Sequence, residues 1–216
     1  MGTSNGPPYM DSATDSGLDI DIPRAVLERM GYQVEVRYMS LARAQAQLRA
    51  KKIDYTAPLF IGDKPGIHSS DPHVYYRPTA FSLQENQLQV SSLSDLGKYT
   101  MITFQGAGGY FGDVFIEASQ RSPRYSEIHD MTLLPKMLYA KRSELVVLDY
   151  YIFHYQLSEM GGVDWKATLA VHDVFPRVPA VVGFHDPGLR DAFNRELKAF
   201  HKDGVYQAIL DRYAPQ

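Results

Sequence analysis

Three stretches in the first part of the chain decide the predicted fold: GLDIDIPRAVLERMGYQVEV at residues 17–36, RAKKIDYTAPLF at 49–60 and SSDPHVYY at 69–76. In the first stretch, apolar residues recur at helical spacing from Ile22 to Met30, and Gly31 follows where a helix would stop. This pattern predicts a helix that begins at Ile22, with Pro23 in its first turn, where proline is tolerated.

The segments that follow this helix predict strands alternating with helices. Val34, Val36 and Tyr38 alternate with polar residues, which is the period of a half-buried strand. Ser40 can cap a next helix that ends near Lys51, and residues 53–59 form an apolar run typical of a buried strand. Such alternation predicts a parallel α/β sheet, and sheets of this kind bind ligands at the carboxyl ends of their strands.

A second block of the chain repeats this pattern. Its predicted elements are a strand at Tyr99–Phe104, a glycine-rich turn, helices at Asp113–Ser119 and Met131–Ala140, and a strand at Leu145–Leu148. Two β-prone runs, Thr79–Leu83 and Val178–Phe184, flank the block and are placed to cross between two lobes. Asp186 and Pro187 then predict the start of a C-terminal helix.

Composition excludes several classes of function. The 216 residues carry a formal net charge of -3 with mixed signs, so a nucleic-acid partner is not expected. There is no cysteine, which excludes thiolate metal sites and disulfides, and the seven histidines have no metal-binding spacing. We expect no metal and no cofactor. No apolar run reaches the ~18 residues of a membrane span, and the opening MGTSNGPPYM lacks the regions of an export signal.

The motifs at 17–76, the turn FQGAGGYFGD at 104–113 and the ending HKDGVYQAILDRY at 201–213 resemble bacterial periplasmic solute-binding proteins of family 3. The best-known members bind amino acids, and the resemblance covers nearly the whole chain. It implies an α/β, two-lobed, type II periplasmic binding protein fold, in which each lobe is a central sheet flanked by helices and two crossing strands form the hinge. It also implies that lobe 1 comprises residues 1–82 and 184–216, that lobe 2 comprises 83–183, and that a small molecule binds in the cleft.

In the first lobe, the resemblance assigns the ligand site to a few residues. Tyr9, after Pro7-Pro8, matches the aromatic residue that lines the family's pocket, and Phe60 stands at the end of its strand; plain core packing is the alternative for both. The family's carboxylate-binding Arg has no counterpart in PLFIGDKPGIHS at 58–69, which is shorter than the family pattern and offers Lys64. Arg43 in SLAR is the other candidate to bind a carboxylate, or else a solvated helix arginine.

In the second lobe, the glycine-rich turn presents backbone N–H groups before a helix, which favours an anionic group. The resemblance assigns ligand contacts to Gly106, Ala107 and Gly108, and Tyr110 either contributes a stacking contact or is simply exposed. Asp149, at the end of ELVVLDYY, matches the family aspartate that pairs with the ligand's ammonium group. Asp149 is equally suited to cap the following helix.

The expected function is therefore capture of a small polar solute, possibly but not necessarily a standard amino acid, by a monomeric periplasmic protein that delivers it to a membrane ABC permease. A ligand-sensing ectodomain of a membrane receptor is an alternative. A third is an enzyme that resembles cyclohexadienyl dehydratases, but no pair of carboxylates with a nearby histidine is evident, so catalysis is not expected.

Overall fold

The computed structural model describes residues 1–60, 64–162 and 164–214. The strands are β1 Gly2–Thr3, β2 Arg37–Tyr38, β3 Tyr55–Leu59, β4 His68–Tyr76, β5 Pro78–Leu83, β6 Met101–Phe104, β7 Tyr125–Ile128, β8 Leu145–Asp149, β9 Leu169–His172 and β10 Val178–Phe184. The helices are α1 Leu18–Arg29, α2 Leu41–Arg49, α3 Ala107–Phe111, α4 Asp113–Arg121, α5 Leu134–Tyr139, α6 Tyr150–Met160, α7 Trp165–Thr168, α8 Pro187–Phe200 and α9 Val205–Tyr213. Among the described helices, none has the length and apolarity of a membrane-spanning segment.

The chain forms two compact units, Met1–Tyr76 with Val178–Gln216, and Arg77–Arg177. Each unit contains one five-stranded mixed sheet flanked by helices. The chain changes unit at 76/77 and at 177/178, so that β5 belongs to the second unit and β10 to the first. The predicted boundaries between the lobes, 82/83 and 183/184, lie near the C-terminal ends of β5 and β10. This division into lobes stays a prediction.

The sheet of the first unit has the strand order β2-β1-β3-β10-β4. β1 runs parallel to β2 and β3, whereas β10 is antiparallel to β3 and β4. The predicted parallel pairing is present between β1, β2 and β3, and the sheet is mixed because β10 returns through it in the opposite direction. The strand expected at residues 34–38 also shrinks to Arg37–Tyr38, since β1 offers only Gly2 and Thr3 for pairing.

Helix α1 begins four residues before the predicted start at Ile22. The carbonyl of Gly17 already accepts the N–H groups of Ile20 and Asp21, and Leu18 and Ile20 are fully buried. Burial of these apolar residues favours the earlier start, and Pro23 consequently lies inside the helix rather than in its first turn.

Local capping signals were read correctly. Ser40 caps α2 by accepting the N–H of Arg43, and Asp186 caps α8 by accepting the N–H of Gly188 at 2.8 Å. These two caps satisfy N–H groups that have no partner within a helix.

The sheet of the second unit has the order β7-β6-β8-β5-β9. β6 is parallel to β7 and β8, and β5 is antiparallel to β8 and β9. Two apolar clusters form its core, one around Phe81, Leu138 and Phe153 and the other around Phe115 and Leu145. Helix α3 lies within the segment predicted as a glycine-rich turn, and β7 was not predicted.

Candidate functional site

The carboxyl ends of the parallel strands of the second unit lie at the same end of its sheet, which we name the carboxyl edge. β6 ends at Phe104, just before the glycine-rich turn, and β8 ends at Asp149. Pro78, at the start of antiparallel β5, pairs with Asp149 at the same edge. This carboxyl edge is where open α/β sheets bind ligands.

Asp149 is a buried helix cap at this edge, with 7% of its surface exposed. Its Oδ1 accepts the N–H groups of Tyr151 at 2.9 Å and Ile152 at 3.2 Å, which caps α6. Its Oδ2 accepts the N–H of Arg77 at 2.6 Å. The predicted cap is therefore present, and the three donors fix the orientation of a carboxylate at the carboxyl edge.

Arg77 brings a cation to the same edge. Its guanidinium carbon lies 4.2 Å from the centroid of the Tyr150 ring, and its Nη2 donates to Asp173 Oδ2 at 3.0 Å. Arg177 donates to the same carboxylate oxygen at 3.1 Å. Within the described residues, the buried Nε of Arg77 has no hydrogen-bond partner. Two arginines thus converge on Asp173.

The glycine-rich turn holds a carboxylate that belongs to the protein itself. Gly106 has φ 87°, a left-handed conformation that glycine adopts at low cost, and its N–H donates to Glu127 Oε2 at 2.8 Å. The phenol of Tyr125 donates to Glu127 Oε1 at 2.5 Å. Hydrogen bonds lower the pKa of Glu127 below its ordinary value. The bond from the Tyr125 hydroxyl has the largest effect, and the N–H groups of Gly106 and Gly108 contribute less.

The other predicted residues of the turn differ in exposure. Ala107 is fully buried, whereas Tyr110 is 36% exposed and lies edge-on to Phe104 and Phe111, with ring centroids 5.9 and 5.2 Å apart. Tyr110 therefore packs in part and presents the rest of its ring to solvent.

His154, one turn into α6, is buried in an aromatic cluster. Its ring centroid lies 4.5 Å from that of Tyr150 and 4.4 Å from that of Trp165. Burial, with a smaller contribution from the charge of Arg77, lowers the pKa of His154 to about 4. The histidine is therefore neutral near pH 7, and the Trp165 ring packs against it.

In the first unit, Tyr76 connects the two aromatic residues predicted for the ligand site. The ring of fully buried Tyr9 stacks on Tyr76 with centroids 3.7 Å apart and an interplanar angle of 7°. Phe60, 37% exposed, meets the same ring edge-on at 4.9 Å. Tyr9 thus lies in the core of this cluster and Phe60 at its surface.

A buried polar network extends from this cluster. Tyr76 donates its hydroxyl to Asp19 Oδ2 at 2.6 Å, and His73 Nε2 lies 2.7 Å from Asp19 Oδ1. The side chains of Asp19 and His73 have no exposed surface. The network therefore ties α1 to β4 below the aromatic cluster.

The two predicted cations of the first unit lie on or near α2. Arg43 is exposed on this helix, and Lys64 Nζ lies 3.5 Å from Gln45 Oε1. Residues 61–63, in the centre of the shortened PLFIGDKPGIHS segment, lie outside the described residues. The roles of Arg43 and Lys64 in binding a carboxylate stay predictions.

Sequence reasoning missed Glu127, Arg77 and the Asp19 network. Asp19 stands on the same helical stripe as the buried Ile22 and Val26, a signal for a buried carboxylate. Arg77 follows directly on SSDPHVYY. For Glu127 the local sequence gives no signal, because its partner Gly106 is 21 residues away.

Comparisons with known proteins agree with these two mixed α/β units. The family model for bacterial extracellular solute-binding proteins, family 3, matches residues 1–216. No curated protein matches the sequence significantly.

Solved structures share the fold at low sequence identity. An ancestral cationic amino acid solute-binding protein is 20% identical, with a TM-score of 0.76 over 98% of this chain and 93% of the other. A proposed binding component of an ABC transporter from Wolinella succinogenes, complexed with lysine, is 17% identical, with a TM-score of 0.73 over 98% and 93%. A histidine kinase sensor domain is 17% identical, with a TM-score of 0.68 over 99% and 95%.

Proposed function

Since the chain belongs to the bacterial extracellular solute-binding proteins of family 3, we propose that it captures a small polar solute outside the cytoplasm and delivers it to an ABC transporter. The match over residues 1–216 is the observation that carries this proposal. The family consists chiefly of binding proteins rather than enzymes, and we propose no reaction. The protein acts as a monomer that docks on a membrane permease.

The ligand bears an ammonium group, and Asp149 is its counter-charge. Three backbone N–H groups orient this carboxylate at the carboxyl edge of the second sheet. A positioned carboxylate with little exposed surface favours a cation, because charge-assisted hydrogen bonds strengthen where water is excluded. The similarity to a cationic amino acid solute-binding protein and to a binding component complexed with lysine is consistent with this chemistry.

Aromatic residues supply the apolar part of the binding site. We assign this role to Phe60, whose exposed ring rests on Tyr76, and to Tyr9, which supports that ring from below. Tyr110, partly exposed beside the glycine-rich turn, contributes in the second unit. We also assign the backbone of the turn residues Gly106, Ala107 and Gly108 to the site, whereas the side chain of Ala107 packs in the core. For a ligand that also carries a carboxylate, Arg43 and Lys64 are the proposed counter-charges.

A thermal-shift screen of amines, amino acids, organic acids and neutral sugars tests this function. Ammonium-bearing compounds are expected to raise the melting temperature by about 5 °C or more at about 100 times the Kd. Stabilisation by sugars or organic acids alone would contradict the ligand class. An absence of stabilisation by every class would contradict the binding function.

A further inference from the structure

The feature that carries a further inference is the contact between Glu127 and the glycine-rich turn. The N–H groups of this turn were predicted to favour a ligand's anionic group, yet the Gly106 N–H donates to Glu127 Oε2 at 2.8 Å. The other carboxylate oxygen accepts the hydroxyl of Tyr125 at 2.5 Å. Both oxygens of Glu127 therefore have a donor, and these two hydrogen bonds hold the exposed carboxylate beside the turn.

The hydrogen bonds keep Glu127 ionised. The Tyr125 hydroxyl and the N–H groups of Gly106 and Gly108 lower the pKa of Glu127. Burial, together with the adjacent Glu127 carboxylate, raises the pKa of Tyr125, so its hydroxyl remains a donor near pH 7. The turn therefore carries a fixed negative charge at neutral pH.

From this contact we infer that Glu127 determines specificity by occupying the backbone donors of the glycine-rich turn, so that the protein selects a small amine without a carboxylate. This inference rests on the proposed function and names the ligand class of the same site. A ligand carboxylate would have to displace Glu127 from Gly106 and would then lie beside a like charge. A ligand ammonium group meets neither obstacle.

The neighbouring charges agree with this selectivity. Asp149 lies at the same edge of the sheet, and the two arginines found there, Arg77 and Arg177, both donate to Asp173. Their guanidinium groups are thus engaged by a carboxylate of the protein. Among the charges of the second unit, Asp149 and Glu127 attract a cation and repel an anion, while Arg77 and Arg177 share the single carboxylate of Asp173.

Three pairs of probes isolate the carboxylate: ornithine with 1,4-diaminobutane, lysine with 1,5-diaminopentane, and arginine with agmatine. The two members of each pair differ by one carboxylate. Calorimetric titration of the wild-type protein should show at least one amine binding about tenfold or more tightly than its amino acid partner. A difference of this size corresponds to about one charge-assisted hydrogen bond.

Two variants and one control identify Glu127 as the cause. Glu127→Ala frees the Gly106 and Gly108 N–H groups, and it should reduce the preference for the amine by about tenfold or more. Glu127→Gln keeps an oxygen acceptor but removes the charge, and it should reduce the preference by less. Glu117→Ala removes an exposed carboxylate from α4 of the same unit and should leave the preference unchanged.

A measurement without ligand checks the contact itself. The amide resonance of Gly106 should follow the titration of Glu127 in the wild-type protein, with a midpoint below the ordinary glutamate value of 4.5. The same titration should be absent from Glu127→Gln. A Gly106 resonance that is insensitive to pH would overturn the inference, because the turn would then not hold the carboxylate.

The binding results separate two kinds of failure. The role of Glu127 is overturned if the wild-type protein binds the amino acid more tightly than the amine in all three pairs. It is also overturned if the wild type and Glu127→Ala prefer the amine by the same factor. The binding function stands in both cases. No binding of any amine or amino acid, by either the wild type or Glu127→Ala, overturns the proposed ligand class and this inference with it.

Discussion

The imidazole Nε2 of His73 lies 2.7 Å from Asp19 Oδ1, and neither side chain has any exposed surface. Asp19 Oδ2 accepts the hydroxyl of Tyr76, whose ring stacks on Tyr9. One buried carboxylate therefore joins helix α1, strand β4 and the loop that carries Tyr9. This network positions the aromatic cluster proposed to contact the ligand.

Removal of the Asp19 carboxylate should strongly destabilise the protein. Asp19→Ala leaves His73 and the Tyr76 hydroxyl without their partner, and each buried polar group left unsatisfied costs about 1–3 kcal/mol of the free energy of unfolding. Urea denaturation measures this loss. The control is Asp15→Asn, which removes the charge of an exposed ion pair with Arg24, keeps an acceptor for the Tyr38 hydroxyl and tolerates the left-handed backbone (φ 51°), so it should cost less than about 1 kcal/mol. Equal losses in the two variants would contradict the role of Asp19.

Tyr9 and Phe60 should respond differently to truncation because only Tyr9 is fully buried. Tyr9→Ala removes a stacked core ring and should cost about 3–5 kcal/mol in the free energy of unfolding. Phe60→Ala removes a ring that is 37% exposed and should cost less, about 1–2 kcal/mol. It should still weaken ligand binding by about three- to tenfold, the value of one aromatic contact. Unchanged affinity in Phe60→Ala would limit Phe60 to packing.

Asp149 should contribute to stability and to binding through different properties. Asp149→Ala removes the α6 cap and the acceptor for the Arg77 N–H, which should cost about 2–3 kcal/mol in stability. Asp149→Asn keeps the oxygen that caps α6 but places an NH2 donor where Oδ2 accepts the Arg77 N–H, so it should cost about 1–2 kcal/mol, less than Asp149→Ala. Urea denaturation of the two variants, compared with the wild type, checks these values. A loss in Asp149→Asn as large as that in Asp149→Ala would contradict the stabilising role of the cap, because the capping oxygen is kept in Asp149→Asn.

His154 should make the protein sensitive to acid. Its pKa is about 4 in the folded protein and 6.5 ordinarily, because burial disfavours the charged form. Between these values the unfolded chain binds a proton that the folded protein does not, so stability falls as the pH drops from about 6.5 towards 4. Allowing for the residual exposure of His154, the wild type should lose about 2 kcal/mol more than His154→Phe between about pH 7 and pH 4.5. Urea denaturation at both pH values checks this, and equal losses would contradict it.

Elements with local signals could be predicted from the sequence. The bounds of β10 and the caps Ser40 and Asp186 follow from β-branched residues and from side chains that bond N–H groups nearby in the chain. The start of α1 was misjudged, because tertiary burial of Leu18 and Ile20 extends the helix beyond its amphipathic pattern. The cap at Asp149 was correctly anticipated as an alternative, since aspartate before a helix is itself a local signal.

Features that depend on distant residues could not be predicted. The direction of β10 in its sheet is set by pairing with β3 and β4, which lie far away in the sequence. The occupation of the Gly106 N–H by Glu127 likewise depends on how β7 lies beside β6. A glycine-rich turn alone indicates available donors, and only the fold shows which group uses them.

The most direct test of the central claim is calorimetric titration of small amines into the wild-type protein, Asp149→Asn and Asp164→Asn. Asp164 is a matched control because, like Asp149, it caps a helix of the second unit, in this case α7. It lies before β9, and the first residue of β9, Leu169, pairs with Leu83 at the end of β5 that is opposite to the carboxyl edge. We predict that small amines bind saturably to the wild type and to Asp164→Asn. Their affinity for Asp149→Asn should be about tenfold or more weaker. Binding that is equally strong in all three proteins, or absent from the wild type, would contradict the account.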